Sequence, residues 1–167
     1  HLRNGDRDLA GEMLALATEA SNRSPETSLV YARFLVSEDR FKPAEAVLVD
    51  ALRITPQNPE LLAELGNVYV ALRDWDRAER VEQALRGLPG EAARLTADQL
   101  RLTVLRAQRR DEEAIGFLRE LADTQDGYRA AEIAIVTTQL ERGNIDDARA
   151  YLERLLDESP DDPALRF

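Results

Sequence analysis

A small residue recurs in this sequence at a nearly constant interval, and that interval restricts the possible folds more than any other feature. The residue is alanine, and successive copies are 34, 34, 36 and 34 residues apart: Ala10, Ala44, Ala78, Ala114 and Ala148. The same intervals, counted from Asn58-Pro59 and from Pro56, predict the later Asp162-Pro163 and Pro160, and both are present. A period of this length is typical of a chain built from stacked copies of one supersecondary unit.

Each unit is predicted to contain two helices joined by a tight turn, and residues 59–92 show the pattern most clearly. Asn58 is a suitable N-cap for a helix that begins at Pro59, where a missing N–H leaves no hydrogen bond unmade. A second helix is predicted from the cap Asp74 to about Arg86. The apolar stripe of the first helix is Leu62, Leu65, Gly66 and Tyr69; that of the second is Trp75, Ala78, Val81, Ala84 and Leu85. The small residues Gly66 and Ala78 are expected to let these two helices approach closely.

The other units give the same pattern with one exception. Helices are predicted over 25–38 and 42–54, 95–108 and 111–123, and 129–142 and 145–157, preceded by a second-type helix over 7–19. In the unit 95–128, Asp98 and Arg101 stand where apolar residues are expected, and Val104 and Leu105 compete for one buried position. The turn before each second helix carries a residue from this set, whose two glycines suit a left-handed backbone: Gly5, Asp39, Arg73, Arg109 and Gly143.

The spacing resembles that of the tetratricopeptide repeat (TPR) family, whose period and G…Y…A…P pattern are matched by Gly66, Tyr69, Ala78 and Pro56. The resemblance implies an all-α, right-handed superhelical solenoid of antiparallel helix hairpins. Departures from the pattern are Ala32, Leu102 and Val136 at the Gly66 position, and Glu82 at an apolar one. The implied division is a partial repeat over 1–24, repeats over 25–58, 59–94, 95–128 and 129–162, and the start of another over 163–167. This division suggests a segment of a longer bacterial array.

Composition argues against most kinds of chemistry. The chain has no cysteine and one histidine, His1, which excludes thiolate zinc sites and a Ser-His-Asp triad. Adjacent acids such as Glu112-Glu113, Asp146-Asp147 and Asp161-Asp162 point about 100° apart on a helix, so they form no carboxylate dyad. We therefore predict no catalytic residue, no cofactor and no metal. A net charge of −10 disfavours nucleic acid, as it disfavours the basic pentatricopeptide repeats, and no apolar run is long enough to insert into a membrane.

The resemblance places partner binding on a concave groove lined by the first helix of each repeat. The side chains expected there are apolar, with a few hydrogen-bond donors and two arginines, and they fit a protein or peptide partner. The candidate groove residues are Leu29, Arg33, Val36, Ala63, Asn67, Val70, Gln99, Thr103, Arg106, Ile133, Thr137 and Leu140. The small or structural repeat positions are Ala10, Ala44, Gly66, Ala78, Ala114 and Ala148.

Three functions from different classes fit these features. The first is a non-catalytic scaffold that binds a protein or peptide in the groove. The second is a periplasmic segment of an envelope or exopolysaccharide-export system that recruits a polymer-modifying enzyme, which favours the bacterial periplasm over the cytoplasm. The third is a carbohydrate-binding module, which the low aromatic content of 5% argues against because sugar sites usually stack on aromatic rings. The sequence leaves the oligomeric state open.

Overall fold

The computed structural model describes residues 2–124 and 129–158, with side chains over 6–123 and 131–158. Within those ranges the regular secondary structure is entirely helical, and no strand occurs. The predicted Pro160 and Asp162-Pro163 positions, the helix start at Pro163, and His1 lie outside the described residues. The helices of the described ranges are α1 Leu2–Ala20, α2 Pro25–Ser37, α3 Phe41–Ile54, α4 Pro59–Ala71, α5 Trp75–Arg86, α6 Glu91–Ala107, α7 Asp111–Thr124, α8 Arg129–Glu141 and α9 Ile145–Glu158.

Side-chain caps explain where several helices begin. The Oγ atom of Ser24 accepts a hydrogen bond from the Thr27 amide at 3.3 Å, immediately before Pro25. Asn58 Oδ1 accepts one from the Leu61 amide at 3.0 Å, and Asp74 caps α5 in the same way. These bonds satisfy amide groups that have no partner within the helix, so the predicted caps are confirmed.

The turns inside the hairpins share one backbone conformation. Asp39, Arg73, Arg109 and Gly143 have φ values of 56°, 55°, 59° and 77°. In the first of these turns the amide of Arg40 donates to the Leu35 carbonyl at 2.8 Å, which closes the helix end. The left-handed conformation, for which the glycines of this set were noted, is therefore also adopted by three non-glycine residues. Gly5 differs, because α1 begins at Leu2 and includes it, so the predicted turn there is wrong.

The chain divides into two compact units, residues 1–107 and 108–167. In the first unit the helices pack in chain order, and α4 also contacts α2 and α6. Its core includes Leu35, Leu48, Ala51 and Leu85, all fully buried. Ala44 and Ala78 lie in this core with no exposed surface, as the repeat pattern predicts.

Gly66 is small for a reason that sequence analysis did not anticipate. A Cβ atom at Gly66 would collide with the side chain of Leu100, which lies on α6. The glycine therefore makes room for the following first helix α6, whereas the prediction was that it lets its own hairpin partner α5 approach. The close contact that Gly66 permits joins successive hairpins.

The helix α6 differs from the prediction in its start and in its polar residues. It begins at Glu91, one turn before the predicted residue 95, and Val104 and Leu105 are both buried. Asp98 is only 3% exposed. Its Oδ1 accepts a hydrogen bond from Arg86 Nη2 at 2.9 Å, and Arg86 Nε also donates to Glu82 Oε1 at 2.8 Å. Arg86 therefore neutralises both acids that replace apolar residues of the repeat pattern.

Burial alone would lower the pKa of Arg86, but its hydrogen bonds to Glu82 and Asp98 outweigh that effect and raise it. The guanidinium therefore keeps its positive charge beside the two carboxylates. We refer to Glu82, Arg86 and Asp98 as the Arg86 cluster. It joins α5 to α6 in place of an apolar contact.

The first helix of the chain breaks the burial pattern of the alanines. Ala10 and Ala17 are exposed, whereas Ala44 and Ala78 of the same unit are fully buried. No described helix covers this side of α1. The expectation that Ala10 is a packed structural position is therefore not met.

The second unit contains the helices α7, α8 and α9 in its described part. There α8 contacts both α7 and α9. Ala114 and Ala148 are 0% and 3% exposed, and Leu118, Ile135 and Leu155 complete an apolar core. None of the helices in the described ranges combines the length and the hydropathy that a bilayer-spanning segment needs.

The buried alanine of α5 provides a test of the packing. Ala78→Arg would place a charge without a partner in the core, so we expect a loss of at least about 3 kcal/mol of unfolding free energy, or failure to fold. Urea denaturation followed by circular dichroism measures it. The control is Glu79→Arg, because Glu79 is exposed on the same helix. Equal stability of the two variants would contradict the described packing.

The Arg86 cluster provides a second test. Arg86→Ala should cost about 2–4 kcal/mol, because it leaves the buried Asp98 carboxylate without its cation. Replacing Glu82, Arg86 and Asp98 together by leucine should restore most of that loss, since it returns apolar residues to two apolar positions. The control Arg80→Ala, at an exposed arginine, should change stability by under about 0.5 kcal/mol. If the triple variant is no more stable than Arg86→Ala, the cluster does not act as a unit.

Candidate functional site

Three first helices of the first unit are neighbours, because α4 contacts both α2 and α6. The residues predicted for the groove occupy one row on each of these three helices. Each row has i, i+4, i+7 spacing, so its members point to the same side of their helix. The rows are Leu29, Arg33 and Val36 on α2, Ala63, Asn67 and Val70 on α4, and Gln99, Thr103 and Arg106 on α6.

The apolar members of these rows are more buried than residues that line a binding surface are expected to be. Leu29 is 6% exposed and belongs to the hydrophobic core, which corrects its assignment to the groove. Val36 and Val70 are half-buried and pack against that core, and Ala63 is half-buried as well. These three residues form a shallow apolar floor. We call the predicted residues of this unit without Leu29 the first-helix face.

The polar members of the first-helix face are exposed and stand above this floor. Arg33 Nε lies 3.0 Å from Glu64 Oε2, an ion pair that connects α2 to α4. Asn67, in the middle row, is exposed, and no hydrogen bond to a described residue occupies its amide. On α6, Thr103 Oγ1 donates to the Gln99 carbonyl at 2.8 Å, while Gln99 and Arg106 are exposed. The face thus offers both donors and acceptors to a partner.

In the second unit the predicted row lies on α8. Leu140 is 52% exposed, Thr137 is exposed and Ile133 is half-buried. Thr137 Oγ1 donates to the Ile133 carbonyl at 2.9 Å, so its hydroxyl hydrogen is already used within the helix. Leu140 is the apolar member that a partner could most readily bury.

A cluster around Arg77 was missed at the sequence level. Arg77 pairs with Glu45 and with Asp74 Oδ2 at 3.1 Å, and its guanidinium lies 5.3 Å from the centre of the Tyr69 ring. The hydrogen bond to Tyr69 is the largest cause that raises the pKa of Arg77, followed by the charges of Asp74 and Glu45. A cavity of about 400 Å³ opens beside it. Glu45 and Arg77 are 32 residues apart, just short of one repeat, and that spacing is the signal that could have revealed the pair.

The described side chains show no arrangement that points to catalysis or metal binding. Among the residues that the structure describes, no group of three or more acids or histidines could hold a metal ion. Glu112 pairs with Arg142 at 2.6 Å and Glu113 pairs with Arg110 at 2.6 Å, so the two adjacent acids have separate partners. The pair Asp161-Asp162 lies outside the described residues.

Comparison with known proteins identifies the repeat. The sequence profile described as tetratricopeptide repeat matches residues 35–94 and 105–166, which is more than half of the chain. Intraflagellar transport protein 172 of Chlamydomonas reinhardtii is 31% identical over 124 residues, which cover 68% of this chain. The chain spans only 6% of the length of that relative.

Solved structures of low sequence identity share the fold. A thermophilic TPR protein of Thermus thermophilus matches with a TM-score of 0.63 and 22% identity over 99% of this chain and 89% of its own. A TPR protein of Parabacteroides merdae has a TM-score of 0.69 and 16% identity over 94% of this chain and 60% of its own. YrrB, described as a TPR protein with an unusual peptide-binding site, has a TM-score of 0.55 and 20% identity over 90% of this chain and 76% of its own.

These matches confirm the predicted fold class, an all-α solenoid of TPR hairpins. They also support the general role of the family, which is interaction with other proteins. Repeats of this kind stack into extended surfaces that serve as scaffolds for interactions between proteins. With the profile matching most of the sequence and the hairpins packed as described, the chain belongs to the tetratricopeptide repeat family.

Proposed function

We propose that this chain is a non-catalytic scaffold that binds an extended peptide segment of a partner protein on the first-helix face. The observation that carries the proposal is the exposed, unoccupied amide of Asn67 above the half-buried Ala63 and Val70. An asparagine side chain can donate to and accept from a peptide backbone together, which suits an extended partner. The apolar floor beside it would bury partner side chains.

Two further features support a peptide rather than another ligand. YrrB, a structural neighbour, is described as having a peptide-binding site, although its low identity relates only the fold to this chain. The residues of the first-helix face include no aromatic side chain, so the face lacks the stacking surface that a carbohydrate site usually needs. The Arg33 side chain of the Arg33–Glu64 pair is exposed and is therefore available to contact an acidic group of a peptide.

A site-specific crosslink tests this proposal. A photoreactive amino acid at Asn67 should capture the partner, whereas the same residue at Glu79, exposed on the second helix α5, should not. With the partner purified, Asn67→Arg should weaken binding at least tenfold, because it blocks the backbone contact and covers the apolar floor. Glu79→Arg is the matched control and should leave affinity unchanged.

The outcome that contradicts the proposal is equally specific. A partner that crosslinks from both positions, or whose affinity is the same for Asn67→Arg and wild type, does not bind on the first-helix face. Thermal unfolding of both variants checks that they fold. Because both substituted side chains are exposed, we expect changes in stability within about 0.5 kcal/mol.

A further inference from the structure

The second unit has a cavity of about 350 Å³ that residues of α7, α8 and α9 line together. This volume is at the lower end of the range for small-molecule pockets, which is about 300–1,000 Å³, so it fits a group the size of one side chain. We call it the Arg119 cavity. Its lining residues are Arg119 of α7, Gln139 of α8, and Asp147, Ala150, Tyr151 and Arg154 of α9.

Hydrogen-bond donors reach this cavity from all three helices. Gln139 is only 8% exposed, and its Oε1 accepts a hydrogen bond from Asn144 Nδ2 at 2.9 Å. Because that bond fixes the oxygen, the amide nitrogen of Gln139 is left, and it has no hydrogen bond to a described residue. Arg119 and Arg154 add guanidinium groups from the helices on either side of α8 in the chain. A mostly buried amide donor without an acceptor favours a ligand that supplies one.

Both arginines of the cavity act on Tyr151, which is half-buried. The guanidinium of Arg154 lies 4.4 Å from the centre of the Tyr151 ring. Burial is the largest influence on the pKa of Tyr151 and raises it, while the positive charges of Arg154 and Arg119 act in the opposite direction and Glu132 raises it further. The two guanidinium groups therefore lie near one phenol, although they come from different helices.

The first unit has a cavity at the same place in its repeat. It is the cavity of about 400 Å³ beside Arg77, and it stays open although the next helix, α6, packs against α5. The helix that follows a second helix therefore does not cover this part of the repeat. The lining positions that correspond, two repeats apart, are Tyr69 and Gln139, Arg77 and Asp147, Arg80 and Ala150, Val81 and Tyr151, and Ala84 and Arg154.

The two cavities differ in the acids that surround them. In the first unit Arg77 is paired with Glu45 and with Asp74. The corresponding positions of the second unit hold Ile115 and Asn144, which carry no charge. The acids that neutralise an arginine in the first cavity are therefore replaced at both positions of the second.

The charges that line the Arg119 cavity leave an excess of one positive charge. Arg119 forms no ion pair with a described residue. Arg154 Nε lies 3.7 Å from Glu158 Oε1, and both side chains are more than half exposed, so this pair contributes little. Asp147, the one acid among the lining residues, is exposed and forms no ion pair with a described residue. A group with a single negative charge would balance the cavity, whereas a doubly charged phosphate would exceed that balance.

We propose that the Arg119 cavity binds a carboxylate group on a short aliphatic stem, as in the side chain of aspartate or glutamate. Arg119 and Arg154 hold the carboxylate oxygens from two helices, and the free amide nitrogen of Gln139 donates a further hydrogen bond. The stem lies against the Tyr151 ring and the Ala150 methyl group. This site belongs to the second unit, so it does not rest on the proposed role of the first-helix face.

A pair of matched peptides tests the proposal. The probe is a short alanine peptide with blocked ends and one central glutamate, and its control has glutamine in place of the glutamate. Nuclear magnetic resonance of the isotope-labelled chain follows the side-chain amide signals of Gln139. The glutamate peptide should shift these signals until they saturate and should bind at least about tenfold more tightly than the glutamine peptide, because only glutamate forms charge-assisted hydrogen bonds.

Two small anions identify the source of the carboxylate and the preferred charge. Propionate has the stem and the carboxylate of glutamate without a peptide. Weaker binding of propionate than of the glutamate peptide would assign the site to a side chain of a partner protein, and equal binding would assign it to a free small acid; both results support the carboxylate site. Tighter binding of inorganic phosphate than of propionate would overturn the proposal, because it contradicts the charge balance of the cavity.

Variants of the chain locate the binding. Arg119→Gln should weaken the glutamate peptide at least about tenfold. Its matched control is Arg149→Gln, at an exposed arginine of α9 outside the cavity, which should leave the affinity unchanged. Asp147→Asn should tighten binding about threefold, because it removes a like charge from the lining. Asp146→Asn is the control for it, since adjacent residues of a helix point about 100° apart.

Three results would contradict the carboxylate site. The first is equal affinity for the glutamate and glutamine peptides, and the second is an unchanged Gln139 signal at saturating peptide. The third is equal weakening by Arg119→Gln and Arg149→Gln, which would indicate attraction to the overall charge and not to the cavity. The residues substituted in these variants are exposed, and circular dichroism checks that each variant folds.

Discussion

The contact on which each hairpin depends is the burial of one small side chain on its second helix. Ala44, Ala78, Ala114 and Ala148 are between 0% and 3% exposed, so each helix pair approaches closely at that point. A larger residue would separate the helices and remove the dispersion contacts that surround the alanine. Ala10 shows that the residue alone does not create a core. It has the same place in the register, but it is exposed because no described helix covers it.

A second constraint is electrostatic and connects one hairpin to the next. Ion pairs join residues just under one repeat apart: Arg7 to Glu38, Arg33 to Glu64, Glu45 to Arg77 and Glu112 to Arg142. Most of these are exposed enough that each contributes little to stability. These ion pairs favour one alignment of consecutive hairpins, because each arginine meets its acid only when the hairpins are correctly aligned. In the Arg86 cluster one partly exposed guanidinium offsets two acids in apolar positions, of which Asp98 is buried.

The repeat period predicted the parts of this structure that recur in every hairpin. It failed at positions where a residue contacts more than one neighbouring helix. The ladder of alanines and the caps Ser24, Asn58 and Asp74 fixed the helix types and most of their limits. The roles of Gly66 and Leu29 could not be predicted in full. The space above Gly66 is filled by Leu100 of another helix, and Leu29 is buried in the core, although its offset is that of a groove residue. The partner of Asp98 at its apolar position could not be predicted, because the pairing with Arg86 depends on how α5 and α6 meet, which no local pattern specifies.

The first-helix face and α1 differ in how the excess of acids affects them. The chain has 32 acidic and 22 basic residues. Because the ion pairs between hairpins use some of the arginines, other acids are left without a basic partner. On the first-helix face Glu64 is paired with Arg33, so these two charges offset each other beside the uncharged amide of Asn67. On α1 the acids Asp8, Glu12 and Glu19 have no such partner, and they lie beside apolar side chains that water solvates poorly. Uncharged surfaces select partners by shape and hydrogen bonding, whereas charged surfaces select them by sign and accelerate their approach.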